Sequence, residues 1–236
     1  MALKLRNAFL IILLIILADQ TLKIWIKTHY PTGEVTKVLG MSWFRIYFIE
    51  NSGMAWGWKF GNETGKVILT LFRLAAVIFG TWYLGRIVKQ KYHKGFIICA
   101  ALIYAGALGN LIDSMFYGMI FDKGLHFDPS LQVYVPYYSG VASFSAHGYS
   151  SFLHGSVVDM LYFPIIKSEF PSWFPVIGGE EFEFFSPIFN IADASISVGV
   201  IALLLFQKRF FRKQRQDSPI SSPETSAEIS DKYEVQ

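Results

Sequence analysis

The chain has 236 residues, 53% of them hydrophobic, and a formal net charge of +3. A soluble domain is usually about 45–50% apolar, so the excess and its arrangement in blocks argue against an ordinary soluble domain. The basic residues sit in short clusters between those blocks, which excludes the continuous basic face that nucleic-acid binding needs.

The first apolar block covers about 7–26, with Lys4 and Arg6 before it. A basic start and an apolar run resemble a secretory leader, but the small-x-small cleavage pattern is missing. The run also continues through Asp19, Gln20 and Thr21 into Leu22, Ile24, Trp25 and Ile26. It reads as a retained transmembrane helix with an acid in its outer part. In the next segment, 28–65, Trp43–Ile49 is aromatic and β-branched with partial alternation, which predicts strands. Asn51-Ser52-Gly53 is a turn signal. Together they predict a small sheet at the membrane surface, where aromatic rings sit between lipid and water.

The second block, 67–87, is interrupted by Arg73; the third, 95–112, is rich in Ala and Gly and suits close helix packing. Segment 113–187 has many aromatics, Gly, Ser and Pro, and no stretch long enough to span. Its aromatic content favours an ordered, membrane-facing loop. The fourth block is 188–206. Each block is near the roughly 20 residues that cross the hydrocarbon core. The tail, 216–236, is rich in Ser, Pro and Glu and is expected to be disordered. The predicted fold is a membrane all-α bundle of four transmembrane helices with a small extracytoplasmic β-sheet and a long extracytoplasmic loop insertion, forming one domain over 1–215. The lone cysteine, Cys99, lies in the third block and can form no internal disulfide.

Basic residues set the orientation. Lys4 and Arg6, the 86–94 link with Arg86, Lys89, Lys91 and Lys94, and Lys208 to Arg215 all fall on one side, which is assigned to the cytoplasm. Both termini are then cytoplasmic, and 28–65 and 113–187 lie outside. Lys23, Lys27 and Lys37 run against this, but they are fewer and more spread out.

A charge within a membrane helix costs roughly 2.5–3.5 kcal/mol on insertion scales. Here polar groups recur at one level, the outer leaflet: Asp19, Arg73, Asn110, Asp113, Asp159, Asn190 and Asp193. Asp113 either caps its helix or pairs with Arg73. Asp19 is an interfacial acid beside its i+4 neighbour Lys23, or part of a site. His147 and His154 read as surface groups, and no HExxH or CxxC spacing suggests a metal. Asp159 and Asp193 stand out, because each lies among apolar residues with no base within four positions. Two carboxyls that converge in a poorly hydrated place share a proton, which supplies a base and an acid together, as in soluble aspartic proteases. A small transporter or channel is the rival reading, since intramembrane acids often mark ion paths. The polar groups gather at one face, however, and no inverted repeat is visible.

Five blocks carry a family resemblance. They are Asp19-Gln20-Thr21-Leu22-Lys23, Asn51-Ser52-Gly53-Met54-Ala55-Trp56-Gly57, Gly106 to Asp113, Val157-Val158-Asp159, and Phe189-Asn190-Ile191-Ala192-Asp193-Ala194-Ser195-Ile196. In this order, on four membrane helices, they resemble the lipoprotein (type II) signal peptidases of bacteria. The resemblance implies a cofactor-free aspartic endopeptidase of the cytoplasmic (inner) membrane. Such enzymes remove the signal peptide from diacylglyceryl-modified prolipoproteins, cutting before the lipidated cysteine. It implies Asp159 and Asp193 as the catalytic pair, with Asp19, Asn51, Gly53, Ala55, Asn110, Asp113, Asn190 and Ala192 at supporting or substrate-binding positions. Lipidated prolipoproteins and membrane lipid are the implied partners of a monomer. Two departures stand out. The family's third block normally ends in Asp-Arg, whereas Ser114 follows Asp113 here, and Arg73 is the expected substitute charge partner. The stretch 114–155 is an insertion, expected to form an outer lid or substrate-guiding surface.

Overall fold

The computed structural model describes residues 3–53, 63–131, 133–136, 140–164, 166–169, 173–175, 179, 181–184 and 187–216. The expectation for the tail beyond 216 lies outside the described residues.

Backbone polar groups have no water to bond in lipid, so spanning runs must close into helices. The four apolar blocks form α1 (Leu5–His29), α2 (Glu63–Lys89), α3 (Lys94–Ile112) and, after a short helical piece α4 (Gly118–Ile120), α5 (Ile191–Gln216). All four are long and apolar enough to cross a membrane. Outward faces such as Phe72, Phe79 and Trp82 on α2 are largely exposed, as lipid-facing side chains are.

The central helix is α3. Half of its apolar stretch is buried inside the protein, against 22% for α1 and 17% each for α2 and α5. The small residues make this possible. A Cβ on Gly106 would collide with the Ala192 carbonyl oxygen, and one on Gly109 would meet Asp19 Oδ2 at 2.8 Å. Gly106→Leu should therefore push α5 off α3 and lower stability by about 1–3 kcal/mol, the usual cost of overpacking. A thermal melt of the purified variant in detergent checks this; an unchanged midpoint would contradict it.

Several helix ends differ from the sequence expectation: α1 and α2 extend two to four residues further at each end, and α5 runs on to Gln216 rather than 206. α3 ends at Ile112, as expected, but the helical path does not end there. The chain continues through a π-helical turn, Asp113–Tyr117, into α4 (Gly118–Ile120). The widened turn is held by one tertiary bond and one local bond. Gly155 N–H donates to Ser114 O (2.9 Å), and Ser114 Oγ donates to Asn110 O (2.9 Å). The fourth helix starts at Ile191, not 188, because Ile188–Phe189 is spent on a strand.

The predicted small sheet exists, and it draws on both outer segments. Strands β1 (Val35–Lys37) and β2 (Arg45–Asn51) come from the first. The insertion then gives a hairpin of β3 (Leu125–Asp128) and β4 (Val133–Pro136). Next come β5 (Val157–Tyr162), a second hairpin of β6 (Ile166–Glu169) and β7 (Glu181–Phe184), and β8 (Ile188–Phe189). The main sheet runs β1-β2-β5-β8, all antiparallel. Between β2 and β5 the register slips by one residue: Ile46 faces Leu161, but Ile49 faces Asp159. Beneath the sheet lies an apolar core that includes Ile26, Phe48, Phe121, Val158 and Met160. A second core joins the helices at the end where Ile87, Ile97 and Phe210 meet.

Two lysines that weighed against the orientation prove not to be surface charges. Lys23 and Lys27 are both fully buried and ion-paired. They belong to buried polar clusters rather than to a loop.

Candidate active site

Lys23 organises the polar cluster. Its ammonium reaches Asp19 Oδ2 and Asp113 Oδ2, each at 2.8 Å, and Asn110 Oδ1 at 2.9 Å. Three donors meet three acceptors, so the buried cation is fully satisfied. Gln20 closes the same group, donating to Asp113 Oδ1 (2.9 Å) and accepting from the Tyr117 hydroxyl (3.2 Å). Asp19 Oδ1 accepts from Ala192 N–H at 2.9 Å. That amide belongs to the first turn of α5 and has no intrahelical partner. Asp19 and Asp113 therefore join α1, α3 and the start of α5.

Asn110 is oriented by this cluster. Its carbonyl oxygen accepts from Lys23, so its Nδ2 is turned to donate to Asp193 Oδ1 at 2.7 Å. Asp193 lies in the first turn of α5, just after Asn190. Asn190 Oδ1 accepts from Asp193 N–H (2.8 Å), and Asp193 Oδ2 accepts from Asn190 N–H (3.4 Å). This is a reciprocal capping box with Asp in the usual Glu place, and it fixes the Asp193 side chain against the helix start.

Asp159 enters from the sheet. Its neighbours Val157, Val158 and Met160 are apolar, and alternation along β5 turns Asp159 to the face opposite Val158. Asn190 Nδ2 donates to Asp159 Oδ1 at 2.7 Å, and Asn51 Nδ2 donates to Asp159 Oδ2 at 3.2 Å. Asn51 is itself held in a turn, its Oδ1 accepting from Gly53 N–H at 2.8 Å. Gly53 has φ +109, which side-chain-bearing residues rarely adopt. Asn190 thus touches both carboxyls, one through its side chain and one through its backbone and cap. The two acids differ in surroundings. Asp159 is 2% exposed, and its pKa is pushed up to about 7, first by burial and then by the charge of Asp193. Asp193 is only partly buried.

The structure brings together Asp19, Asn51, Gly53, Asn110, Asp113, Asp159, Asn190, Ala192 and Asp193; Ala55 lies outside the described residues. The expected Arg73–Asp113 pair is not formed. Asp113 is already neutralised by Lys23, and Arg73 Nη1 donates to Ser114 Oγ at 2.7 Å instead. Arg73 acts on Asp113, Asp193 and Asp159 only through space. The expected neighbours Asp19 and Lys23 do pair, but the pair is buried rather than interfacial, and Lys23 also serves Asp113 and Asn110, which are distant in sequence.

A family profile described as "Signal peptidase (SPase) II" matches residues 11–209. A lipoprotein signal peptidase of Porphyromonas gingivalis is 45% identical over 200 residues, covering 84% of this chain and 81% of that protein. One from Amoebophilus asiaticus is 33% identical over 202 residues, covering 84% and 76%. A solved bacterial membrane enzyme superposes with a TM-score of 0.53 at 23% identity, over 93% of this chain and 99% of that one. At that identity the likeness speaks for the fold.

Proposed function

The chain belongs to the signal peptidase II family, membrane aspartic peptidases that remove signal peptides from prolipoproteins, and on that premise we propose that Asp159 and Asp193 are its catalytic pair. The observation that carries this is Asn190, which bonds both carboxyls at once. The rival transporter reading is not favoured, because family and relatives are peptidases.

Asp159, the buried member, keeps the shared proton and donates a hydrogen bond to the scissile carbonyl oxygen. Asp193, on the open side and fixed by Asn110 and the capping box, takes a proton from water as the water oxygen attacks the carbonyl carbon. When the tetrahedral species collapses, the C–N bond breaks and Asp193 returns that proton to the leaving amine. No covalent enzyme intermediate forms. Asn51, at a position the resemblance gives as supporting or substrate-binding, bonds Asp159 here and so orients the acid.

The substrate is a diacylglyceryl-modified prolipoprotein, held with its acyl chains in lipid and cut before the lipidated cysteine. The site lies at the outer leaflet with both termini in the cytoplasm, in agreement with the basic clusters at the other helix ends. We read the enzyme as a monomer.

The test is cleavage of such a substrate by the purified full chain, followed across pH. Only protonated Asp159 serves as the acid, so the rate should fall as pH rises through about 7. The Asn51 amide favours the ionised form of Asp159. Asn51→Ala should therefore move that limb to higher pH while lowering the rate. A rate that climbs across neutrality in the wild type would contradict the assignment.

A further inference from the structure

The one-residue slip between β2 and β5 decides which side chain meets Asp159. Before it, Arg45 faces Tyr162 and Ile46 faces Leu161. After it, Ile49 faces Asp159, Glu50 faces Val158 and Asn51 faces Val157. Directly opposed residues share a face of an antiparallel pair, and alternate residues along a strand do too. Asn51 is therefore on the Asp159 face, diagonal to it, and Glu50 is on the other. If the earlier register simply continued, Glu50 would oppose Val157 and stand where Asn51 stands. A second carboxylate would then face Asp159, and Asn51 would point away. A slip of one residue exchanges the two faces completely, and bulges of this kind re-aim side chains beside active sites.

What holds the chosen register lies under the sheet. Glu50 forms an ion pair with Lys27 of α1, and both side chains are fully buried. Glu50 Oε2 has no hydrogen-bond partner among the described residues, so Lys27 is the one cation that touches this carboxylate. The ammonium of Lys27 also sits over the rings of Phe121 (5.2 Å) and Tyr149 (5.1 Å), both from the insertion. Tyr149 Oη accepts from Ser156 N–H at 2.8 Å, immediately before β5. On α2, Lys66 Nζ donates to Ser156 Oγ (3.2 Å) and lies over the Tyr134 ring of β4 (4.3 Å). Both strands are thus tied down at the point where they meet, β2 through Glu50 and β5 through Ser156. None of these groups touches the catalytic pair.

We infer that Glu50 and Lys27 are positioning residues, a buried ion pair that locks the post-bulge register of β2 and so keeps Asn51, and not Glu50, on Asp159. The insertion supplies the aromatic walls of that pair, a role separate from guiding substrate. This rests on the assignment of Asp159 as catalytic. A register slip would separate Glu50 from Lys27 and Asn51 from Asp159 together, so the two contacts stand or fall as one.

The test is a double-mutant cycle on the purified full chain with a diacylglyceryl-modified prolipoprotein. The variants are Glu50→Gln, Asn51→Ala and both together. Glu50→Gln should lower kcat about ten- to a hundredfold, as misplacement of a catalytic group does, with KM little changed. Its falling pH limb should move upward as it does in Asn51→Ala. Asp159 also faces Asp193 from α5, Lys23 from α1 and Arg73 from α2, and these remain in every variant. The double variant should lose no more than Asn51→Ala alone, because Glu50 acts through Asn51. Wild-type kcat in Glu50→Gln, or losses that multiply in the double variant, would overturn the inference. If Glu50→Gln does not fold, the pair Lys27→Met with Glu50→Leu removes both charges and keeps the volume. The same comparison with and without Asn51→Ala then decides. Activity in Asp159→Asn would sink the parent assignment instead, so the two failures are distinguishable.

Discussion

Asp159→Asn is expected to lower kcat by at least about 10²–10⁴-fold, the range a general acid contributes, while the protein inserts and folds. The amide matches the carboxyl in shape, so the bonds from Asn190 and Asn51 become the only local losses. The variant also carries a stability signature of definite sign. The folded pKa of Asp159 lies above its ordinary value of 3.8, near 7. Its contribution to stability is therefore fully present at low pH and is lost as pH rises through about 7, where burial penalises the carboxylate. Removing the ionisable group should make the variant relatively more heat-stable than wild type above pH 7. A melt at pH 6 and at pH 8.5 beside the cleavage assay separates a chemical loss from an unfolded protein. Substantial cleavage, or a variant that melts earlier at both pH values, would count against the role given to Asp159.

Lys23→Met should be the most damaging change among the supporting residues. Methionine keeps much of the side-chain volume, but Asp19 and Asp113 are left buried, without their cation, and facing one another. Breaking a buried pair from one side typically costs about 3–5 kcal/mol, and here one cation serves two acids. Asn110 loses the bond that sets its amide, so Asp193 is released as well. The variant should show a large drop in melting midpoint and no cleavage. Adding Asp19→Asn and Asp113→Asn should recover much of the stability, because the unpaired charges are gone. A Lys23→Met protein that melts and cleaves like wild type would show that the cluster does not hold the site.

The parts of the fold legible in the sequence are those fixed by local composition. Four apolar blocks with basic ends give four helices, and Trp43 to Ile49 gives a strand. Motif positions also located most of the cluster. What stayed hidden depends on contacts distant in sequence. The π-helical turn after Asp113 depends on Gly155, some forty residues on. Ile188 and Phe189 read as helix because they are apolar, and only their pairing with β5 makes them strand. Lys23 and Lys27 looked like exposed charges because a charge count has no depth. Asn190 and Asp193 have the capping-box spacing, which marks Ile191 as the helix start that apolarity alone places at 188. The insertion could be sized from sequence, but its packing against Lys27 and Lys66 could not be read there.

The central claim is that Asp159 and Asp193 work as one unit, and cleavage by Asp159→Asn, Asp193→Asn and the double variant tests it most directly. Groups that act together lose nearly everything at the first substitution. Each single variant, folded and inserted, should fall to the residual rate of the double variant on a diacylglyceryl-modified prolipoprotein. A single variant that retains most wild-type cleavage, or losses that simply multiply in the double, would contradict the account.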